Sequence, residues 1–170
     1  MVVVVGGGPV GLAAAMLLAA DGHAVSVLER DPDGPPATAA EAFELWDRAG
    51  VAQFRMAHGL LPKLYQLLQA ELPRVADELF ASGGCHMNLV DTMPATVADR
   101  SPRPGDDRLR TLTGRRPFVE RAFATVAENT GGVRGTISDG SADVGTVNID
   151  GGYVPAPGLS RTGTTTVTLS

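Results

Sequence analysis

The sequence predicts an α/β fold that begins with a parallel β-sheet, and its first 28 residues carry the observations behind this class. Residues 2–5 are four valines that end at a glycine-rich segment, which is typical of a strand buried in a parallel sheet. Residues 12–20 are rich in alanine and leucine and predict a helix, which Gly22 ends. Residues 24–28 predict a second strand. A strand, a helix and a strand in this order indicate a βαβ unit.

A glycine motif follows the first predicted strand. Gly6, Gly8 and Gly11 have the spacing G-x-G-x-x-G, and Glu29 lies at the end of the second predicted strand. An acid about 20 residues after such glycines is typical of Rossmann-like folds that bind the ADP half of a dinucleotide. The alternative is an ordinary glycine-rich turn between a strand and a helix, and the position of Glu29 argues against it.

Each residue of this motif has a physical task. We expect Gly6 to allow a tight turn, Gly8 to let a pyrophosphate approach the backbone, and Gly11 to let the helix pack close to the strand. Pro9 suits the first helical turn, whose N–H groups would face the pyrophosphate. Glu29 would accept hydrogen bonds from the ribose hydroxyls and repel a 2′-phosphate, which disfavours NADP at this site.

Composition and charge bound the class of protein. The chain has 170 residues, of which 44% are hydrophobic, so there is room for one domain of ordinary size and part of another. A net charge of −5 without a continuous basic block argues against nucleic acid as a partner. No Lys or Arg precedes Arg30, and glycines interrupt the apolar N-terminus, which argues against a signal peptide or a membrane span.

The cysteine and the histidines indicate where the protein works and what it does not bind. Cys85 is the single cysteine, which suggests a reducing compartment, and we expect it to be a small buried residue in a cytoplasmic protein. The three histidines have no carboxylate or cysteine partners at ligand spacing, so we expect no metal site.

Helices and then short strands are predicted after the βαβ unit. Apolar periodicity and glycine or proline boundaries predict helices at residues 39–49, 59–72, 73–81 and 117–129. Thr38 and Glu41 fit a capping box at the start of the first of these. Residues 86–90 are a candidate strand, and residues 91–107 are predicted to be irregular. From Val133 onward, glycine and threonine predict short strands and a mobile tail at residues 162–170.

Seven arginines lie between residues 100 and 121. They are candidates for binding a pyrophosphate or an anionic substrate. Aspartates and a glutamate are interleaved with them, however, so we expect a mixed, solvated loop for most of the stretch.

Residues 2–12 and 27–31 resemble the N-terminal part of an FAD-dependent monooxygenase of the aromatic-hydroxylase superfamily. The resemblance continues through residues 46–55, where such enzymes often place an arginine near the flavin. Residues 115–123 are similar to the R-x-x-L-x-x-x-L helix of these enzymes. The resemblance therefore covers the chain to about residue 130 and implies a Rossmann-like FAD-binding unit followed by helices and an incomplete sheet.

The resemblance also implies which residues bind FAD. They are Gly6, Gly8, Gly11, Glu29, Arg30, Arg48 and Arg116. Arg30 would flank the adenine, Arg48 would lie along the cofactor near the pyrophosphate or flavin, and Arg116 would contact it from the start of its helix. Gln53 is a further candidate. For each arginine the alternative is a solvated surface charge.

The implied activity is the insertion of oxygen into an organic, for example aromatic, substrate with NAD(P)H and dioxygen as co-substrates. Reduced flavin would perform the chemistry, so the absence of a recognisable catalytic set is no objection. The later motifs and the substrate-covering sheet of the family have no clear counterpart in the sequence. We therefore expect an FAD-binding region at residues 1–130 and a divergent or truncated end at residues 131–170.

Two alternatives to this enzyme stay open at the level of the sequence. One is a non-catalytic dinucleotide-binding fragment, and the other is an NAD-dependent dehydrogenase. If the chain is truncated, we expect it to bind FAD weakly or not at all when isolated, because half of the cofactor contacts would be missing.

Overall fold

The computed structural model describes residues 1–31, 33–48, 51, 53–137, 144–147 and 167–169. The strands and α-helices in these residues are, in chain order, β1 (Val2–Val5), α1 (Pro9–Ala20), β2 (Val25–Glu29), α2 (Ala39–Glu44), β3 (Ala57–Leu60), α3 (Pro62–Glu71), α4 (Pro73–Ala81), β4 (Cys85–Asn88), β5 (Arg110–Arg115), α5 (Arg116–Glu128), β6 (Val133–Ile137), β7 (Val144–Val147) and β8 (Val167–Leu169). The same residues contain 3₁₀ helices at Leu89–Thr92 and Asp106–Leu109. None of the helices in this part of the chain is long and apolar enough to cross a membrane.

The predicted βαβ unit is confirmed. β1 pairs in parallel with β2, with Val2 opposite Val25, and α1 connects the two strands. Pro9 occupies the start of α1. The helix ends before Gly22, whose φ of 87° lies in the left-handed region that glycine adopts without strain.

A third strand extends this sheet. β6 pairs in parallel with β2, so the strand order is β1-β2-β6. The sheet therefore continues past residue 130, where the sequence placed the end of the FAD-binding region. Ala15 of α1, Val27 of β2 and Phe123 of α5 belong to one buried apolar cluster, which seats the two helices on the sheet.

The second sheet is antiparallel and has the order β3-β5-β4. Leu60 of β3 and Leu112 of β5 are buried together with Leu68 of α3 and Leu79 of α4. These leucines belong to the same cluster as the residues of the first sheet, so one continuous core joins the two sheets.

The predicted helix at residues 59–72 is wrong at its start. Ala57–Leu60 forms β3, and the helix begins only at Pro62. Leu61 has φ −55° and ψ 152°, as expected for a residue that precedes a proline and is excluded from the helical conformation. The apolar stripe also differs from the prediction, because Tyr65 and Leu68 are buried whereas Leu61, Leu64 and Leu67 are exposed.

The helix that begins after Thr38 is shorter than predicted. Its capping box is confirmed: Oγ1 of Thr38 accepts from the N–H of Glu41, and the Glu41 carboxylate accepts from the N–H of Thr38. The helix ends at Glu44, and Trp46 then packs edge-on against Phe54 with 5.5 Å between ring centroids. The chain therefore leaves the helix before Trp46, whose ring is buried against Phe54, and the last predicted helical turns are absent from the described residues. Residues 49 and 50 lie outside the described residues.

Helices α4 and α5 agree with the predictions for residues 73–81 and 117–129, whereas part of the arginine-rich stretch does not form a loop. Arg110–Arg115 forms β5, the central strand of the second sheet, because Thr111 and Leu112 are buried.

Cys85, expected to be buried, is exposed on the edge strand β4. β7 and β8 form an antiparallel pair, and the mobility expected for residues 162–170 stays a prediction. Residues 138–143, 148–166 and 170, where short strands and a mobile tail are predicted, lie outside the described residues.

Candidate functional site

The glycine motif forms a tight loop between β1 and α1. Gly6 has φ 106°, which only glycine adopts without strain. A Cβ atom on Gly11 would overlap the carbonyl oxygen of Gly6, so the helix passes too close to the loop for any side chain. A Cβ atom on Gly8 would meet no protein atom within 4 Å. The predicted roles of Gly6 and Gly11 therefore have a direct geometric basis, and Gly8 borders open space.

The start of α1 is suited to an anion. Gly8 is the N-cap residue and has no side chain to cap the helix. The first N–H groups of a helix have no partner inside it, and the helix dipole places partial positive charge there. Pro9 contributes no N–H, so Val10 and Gly11 carry the first available donors of the helix.

The carboxylate of Glu29 is held by four N–H donors. Oε2 accepts from the N–H of Gly7 at 2.7 Å and from Nη2 of Arg48 at 2.7 Å. Oε1 accepts from the N–H of Arg30 at 2.7 Å and of Asp31 at 3.0 Å. Burial opposes the charge of the carboxylate, but the N–H of Asp31 and the charge of Arg48 outweigh it and lower the pKa of Glu29. Glu29 is therefore an anion fixed beside the glycine loop.

The guanidinium of Arg48 lies at the centre of a buried charge cluster. Nε donates to Asp31 at 2.9 Å, and Nη1 donates to Glu120 at 3.1 Å and to the carbonyl oxygen of Gly7 at 3.4 Å. The Arg48 side chain is only 8% exposed. Burial disfavours its charge, but the bond to Asp31 and the charges of Glu29 and Glu120 raise the pKa of Arg48.

Glu120 is a site residue that the sequence analysis missed. Its side chain is 1% exposed and bridges two arginines, since Oε2 accepts from Arg48 and Oε1 accepts from Nε of Arg116 at 2.6 Å. The i,i+4 spacing of Arg116 and Glu120 on a predicted helix was the available signal for one of these pairs. The pair with Arg48 spans 72 residues and left no pattern in the sequence.

A cavity of about 320 Å³ opens beside this cluster. Its walls combine apolar side chains of α1, β2, α5 and β6 with Trp46, and acidic groups lie among them. The indole Nε1 of Trp46 is buried and has no hydrogen-bond partner among the described residues. The acidic and basic residues that line the cavity are Glu29, Asp31, Asp33, Arg48 and Glu128.

The structure brings only some of the predicted residues together. The glycine loop, Glu29 and Arg48 are in direct contact, and Arg116 joins them through Glu120. The side chain of Arg30 is exposed, and only its backbone N–H bonds to Glu29. Gln53 is exposed, and its backbone carbonyl oxygen accepts from the backbone N–H of Met56. Whether these residues contact a cofactor stays a prediction.

The sequence of the chain matches one protein family. Residues 1–101 match the family described as FAD dependent oxidoreductase. No curated protein is significantly similar to the chain in sequence.

Solved structures match the fold at low sequence identity. The Diels-Alderase PyrE3 of the pyrroindomycin biosynthetic pathway aligns with a TM-score of 0.50 and 22% identity, over 81% of this chain and 25% of its own. The p-nitrophenol 4-monooxygenase PnpA from Pseudomonas putida DLL-E4 aligns with a TM-score of 0.49 and 18% identity, over 80% of this chain and 31% of its own. The flavin-dependent halogenase CmlS aligns with a TM-score of 0.49 and 17% identity, over 80% of this chain and 22% of its own. The chain thus spans between 22% and 31% of the length of these proteins.

Proposed function

Since the chain belongs to the family of FAD-dependent oxidoreductases, we propose that its βαβ unit binds the ADP half of FAD. The observation that carries the proposal is the position of the Glu29 carboxylate, 2.7 Å from the N–H of Gly7 and next to the uncapped start of α1. A carboxylate and an anion-binding helix start side by side suit a ribose and a pyrophosphate joined in one ligand.

The residues present fit this part of FAD. The open space at Gly8 accommodates a phosphate close to the backbone, and the N–H groups at the start of α1 stabilise its charge. Glu29 is ionised, and its oxygens would accept from the ribose hydroxyls by sharing or exchanging some of the four N–H donors that hold them in the free chain. The cavity next to Trp46 adds apolar surface.

We extend the proposal to a monooxygenase that acts on a small organic substrate with NAD(P)H and dioxygen. Support comes from the resemblance of residues 115–123 to the helix of the aromatic hydroxylases. Bound flavin would supply the redox chemistry, and the residues of this chain would bind and orient the cofactor. The chain spans 31% or less of the length of the three matched proteins. We therefore propose this activity for a longer protein that contains such a chain.

Calorimetric titration with ADP tests the cofactor site, because ADP needs only the glycine loop and Glu29. Trp46 is the single tryptophan of the chain and lines the cavity, so its fluorescence gives a second readout. We expect ADP to bind and to change this fluorescence, and FAD to compete with ADP. Glu29→Gln should weaken ADP binding by about tenfold, since it removes a charged acceptor. Asp99→Asn is the matched control, because it removes the same charge at an exposed pair.

Two results would contradict the proposal in different ways. A wild-type chain that binds neither ADP nor FAD would refute the cofactor site. Binding of NADH in preference to FAD would favour a dehydrogenase instead. The monooxygenase extension is tested separately with isotopically labelled dioxygen, FAD, NADH or NADPH and a panel of phenols: products without the label would refute the extension and leave the FAD site standing.

A further inference from the structure

We propose that Glu120 and Arg48 are positioning residues that fix the Glu29 carboxylate for the ribose hydroxyls, and that Arg48 acts through Glu29 and does not bind the phosphates of the cofactor. This inference rests on the proposed FAD site and deepens it. It assigns a function to Glu120, a buried acid on α5 that lies far from the glycine motif in sequence.

The guanidinium of Arg48 is bonded to groups of the protein itself. Each of its three guanidinium nitrogens donates to a protein acceptor, and the side chain is 8% exposed. The acceptors are Asp31, Glu120 and Glu29, and the carbonyl oxygen of Gly7 is within 3.4 Å. A guanidinium with its donors used in this way orients its neighbours and has little capacity left for a phosphate.

Glu120 holds the far side of that guanidinium. Its carboxylate is 1% exposed and lies between Arg48 and Arg116, so two positive charges offset its burial. Loss of the Glu120 charge would leave Arg48 attracted to Glu29 and Asp31 alone. The guanidinium would then shift toward β2, and the carboxylate of Glu29 would shift with it.

Glu29 is the group on which such a shift has a functional effect. Oε1 is held by two backbone N–H groups of its own strand end, whereas Oε2 depends on Gly7 and Arg48. A pair of ribose hydroxyls requires both oxygens at fixed positions, because bidentate hydrogen bonds are sensitive to geometry. The ribose contact should therefore respond to Glu120 even though Glu120 is separated from Glu29 by Arg48.

A pair of ligands isolates this effect. ADP carries both ribose hydroxyls, and 2′,3′-dideoxy-ADP lacks both while keeping the adenine and the pyrophosphate. We expect the wild-type chain to bind ADP more tightly than the dideoxy ligand. Glu120→Gln should weaken ADP binding by about tenfold and leave the dideoxy ligand within about twofold, so that the two affinities converge.

Two further variants keep the test decisive. Arg48→Lys retains the charge but loses the planar fork, and the same convergence is expected from it if Glu120→Gln does not fold. Asp99→Asn is the control, since it breaks an exposed pair with Arg103 at 2.9 Å, away from the cavity, and changes the net charge equally. This control should leave the ratio of the two affinities at the wild-type value.

The outcomes separate this inference from the proposed function. Equal weakening of both ligands by Glu120→Gln would show a general structural role and overturn the inference. A wild-type chain that binds both ligands equally would overturn the inference but keep the FAD site. A wild-type chain that binds neither ligand would overturn both.

Discussion

The N–H of Gly7 donates to Oε2 of Glu29 at 2.7 Å, so the glycine loop and the end of β2 are joined by a direct hydrogen bond across 22 residues. A side chain at Gly7 would push the Glu29 carboxylate away, because a Cβ atom there would lie 2.8 Å from the same oxygen. The middle glycine of Gly6-Gly7-Gly8 thus has a structural requirement of its own.

Gly7→Ala tests this requirement. We expect the methyl group to displace the Glu29 carboxylate and to weaken ADP binding by about tenfold, as for loss of one hydrogen bond to a charged group. Calorimetric titration measures the change. Gly131→Ala is the control, since its methyl group would meet no atom within 4 Å. Unchanged ADP affinity in Gly7→Ala would show that the carboxylate contact is dispensable.

Substitutions of Gly8 and Gly11 should have different effects, one on ADP binding and the other on stability. A methyl group on Gly11 would overlap the carbonyl oxygen of Gly6, so we expect Gly11→Ala to lower the free energy of unfolding by about 1–3 kcal/mol. A methyl group on Gly8 meets no protein atom but enters the space proposed for the pyrophosphate. Gly8→Ala should therefore unfold at nearly the wild-type urea concentration and bind ADP poorly. The reverse assignment of the two defects would contradict both roles.

The lowered pKa of Glu29 predicts that the folded chain loses stability in acid. Its pKa in the folded chain lies below the ordinary value of 4.5, so the unfolded chain takes up the proton first as the pH falls. The stability that Glu29 contributes is complete above pH 4.5 and is lost as the pH falls through the lower folded pKa.

Urea unfolding of wild-type and Glu29→Gln chains at a series of pH values measures this contribution. We expect the free energy of unfolding to fall less steeply below pH 4.5 in the variant. His58 has a pKa lowered by burial and by Arg116, but it is present in both chains and cancels in the difference. Parallel acid limbs would show that Glu29 is not held as an anion.

Arg121 should anchor the loop that borders the cavity. Nε and Nη2 donate to the carbonyl oxygens of Pro36 and Ala37 at 3.0 and 2.6 Å, and Nη1 donates to Glu78 at 2.6 Å. We expect Arg121→Ala to raise amide hydrogen exchange at residues 33–39 and to lower the free energy of unfolding by about 1–3 kcal/mol. Arg103→Ala is the control.

The control replaces a mostly exposed arginine, since the Arg103 side chain is 67% exposed in its pair with Asp99. It should change the free energy of unfolding by no more than about 0.5 kcal/mol, because exposed ion pairs contribute little. Wild-type exchange rates in Arg121→Ala would mean that the loop keeps its position without this side chain.

Some elements were predictable because their causes lie within a few residues. The valine run, the glycine spacing and Pro9 together specify β1, the loop and the start of α1. The capping box at Thr38 is likewise a contact over three residues. The end of α2 at Glu44 was not predictable in this way, because it depends on the packing of Trp46 against Phe54 in the core.

β5 shows the limit of local patterns for strands. The sequence predicts a solvated, arginine-rich loop for most of residues 100–121, yet Arg110–Arg115 is the central strand of the second sheet. Strand formation depends on the partners that the neighbouring strands supply, and here these come from residues 57–60 and 85–88. The exposure of Cys85 has the same origin, since it depends on which strand lies at the edge of the sheet.

The sequence by itself determined the βαβ unit, the glycine loop and the acid at the end of β2, because hydrophobic periodicity and the conformational freedom of glycine act locally. Only the tertiary structure decided what surrounds that acid. Arg48 reaches Glu29 across 19 residues and Glu120 across 72, and nothing in the spacing of these charges announces the pairs. Their contact follows from the docking of α5 against the sheet, since a buried charge is stable only where the fold delivers an opposite charge to it.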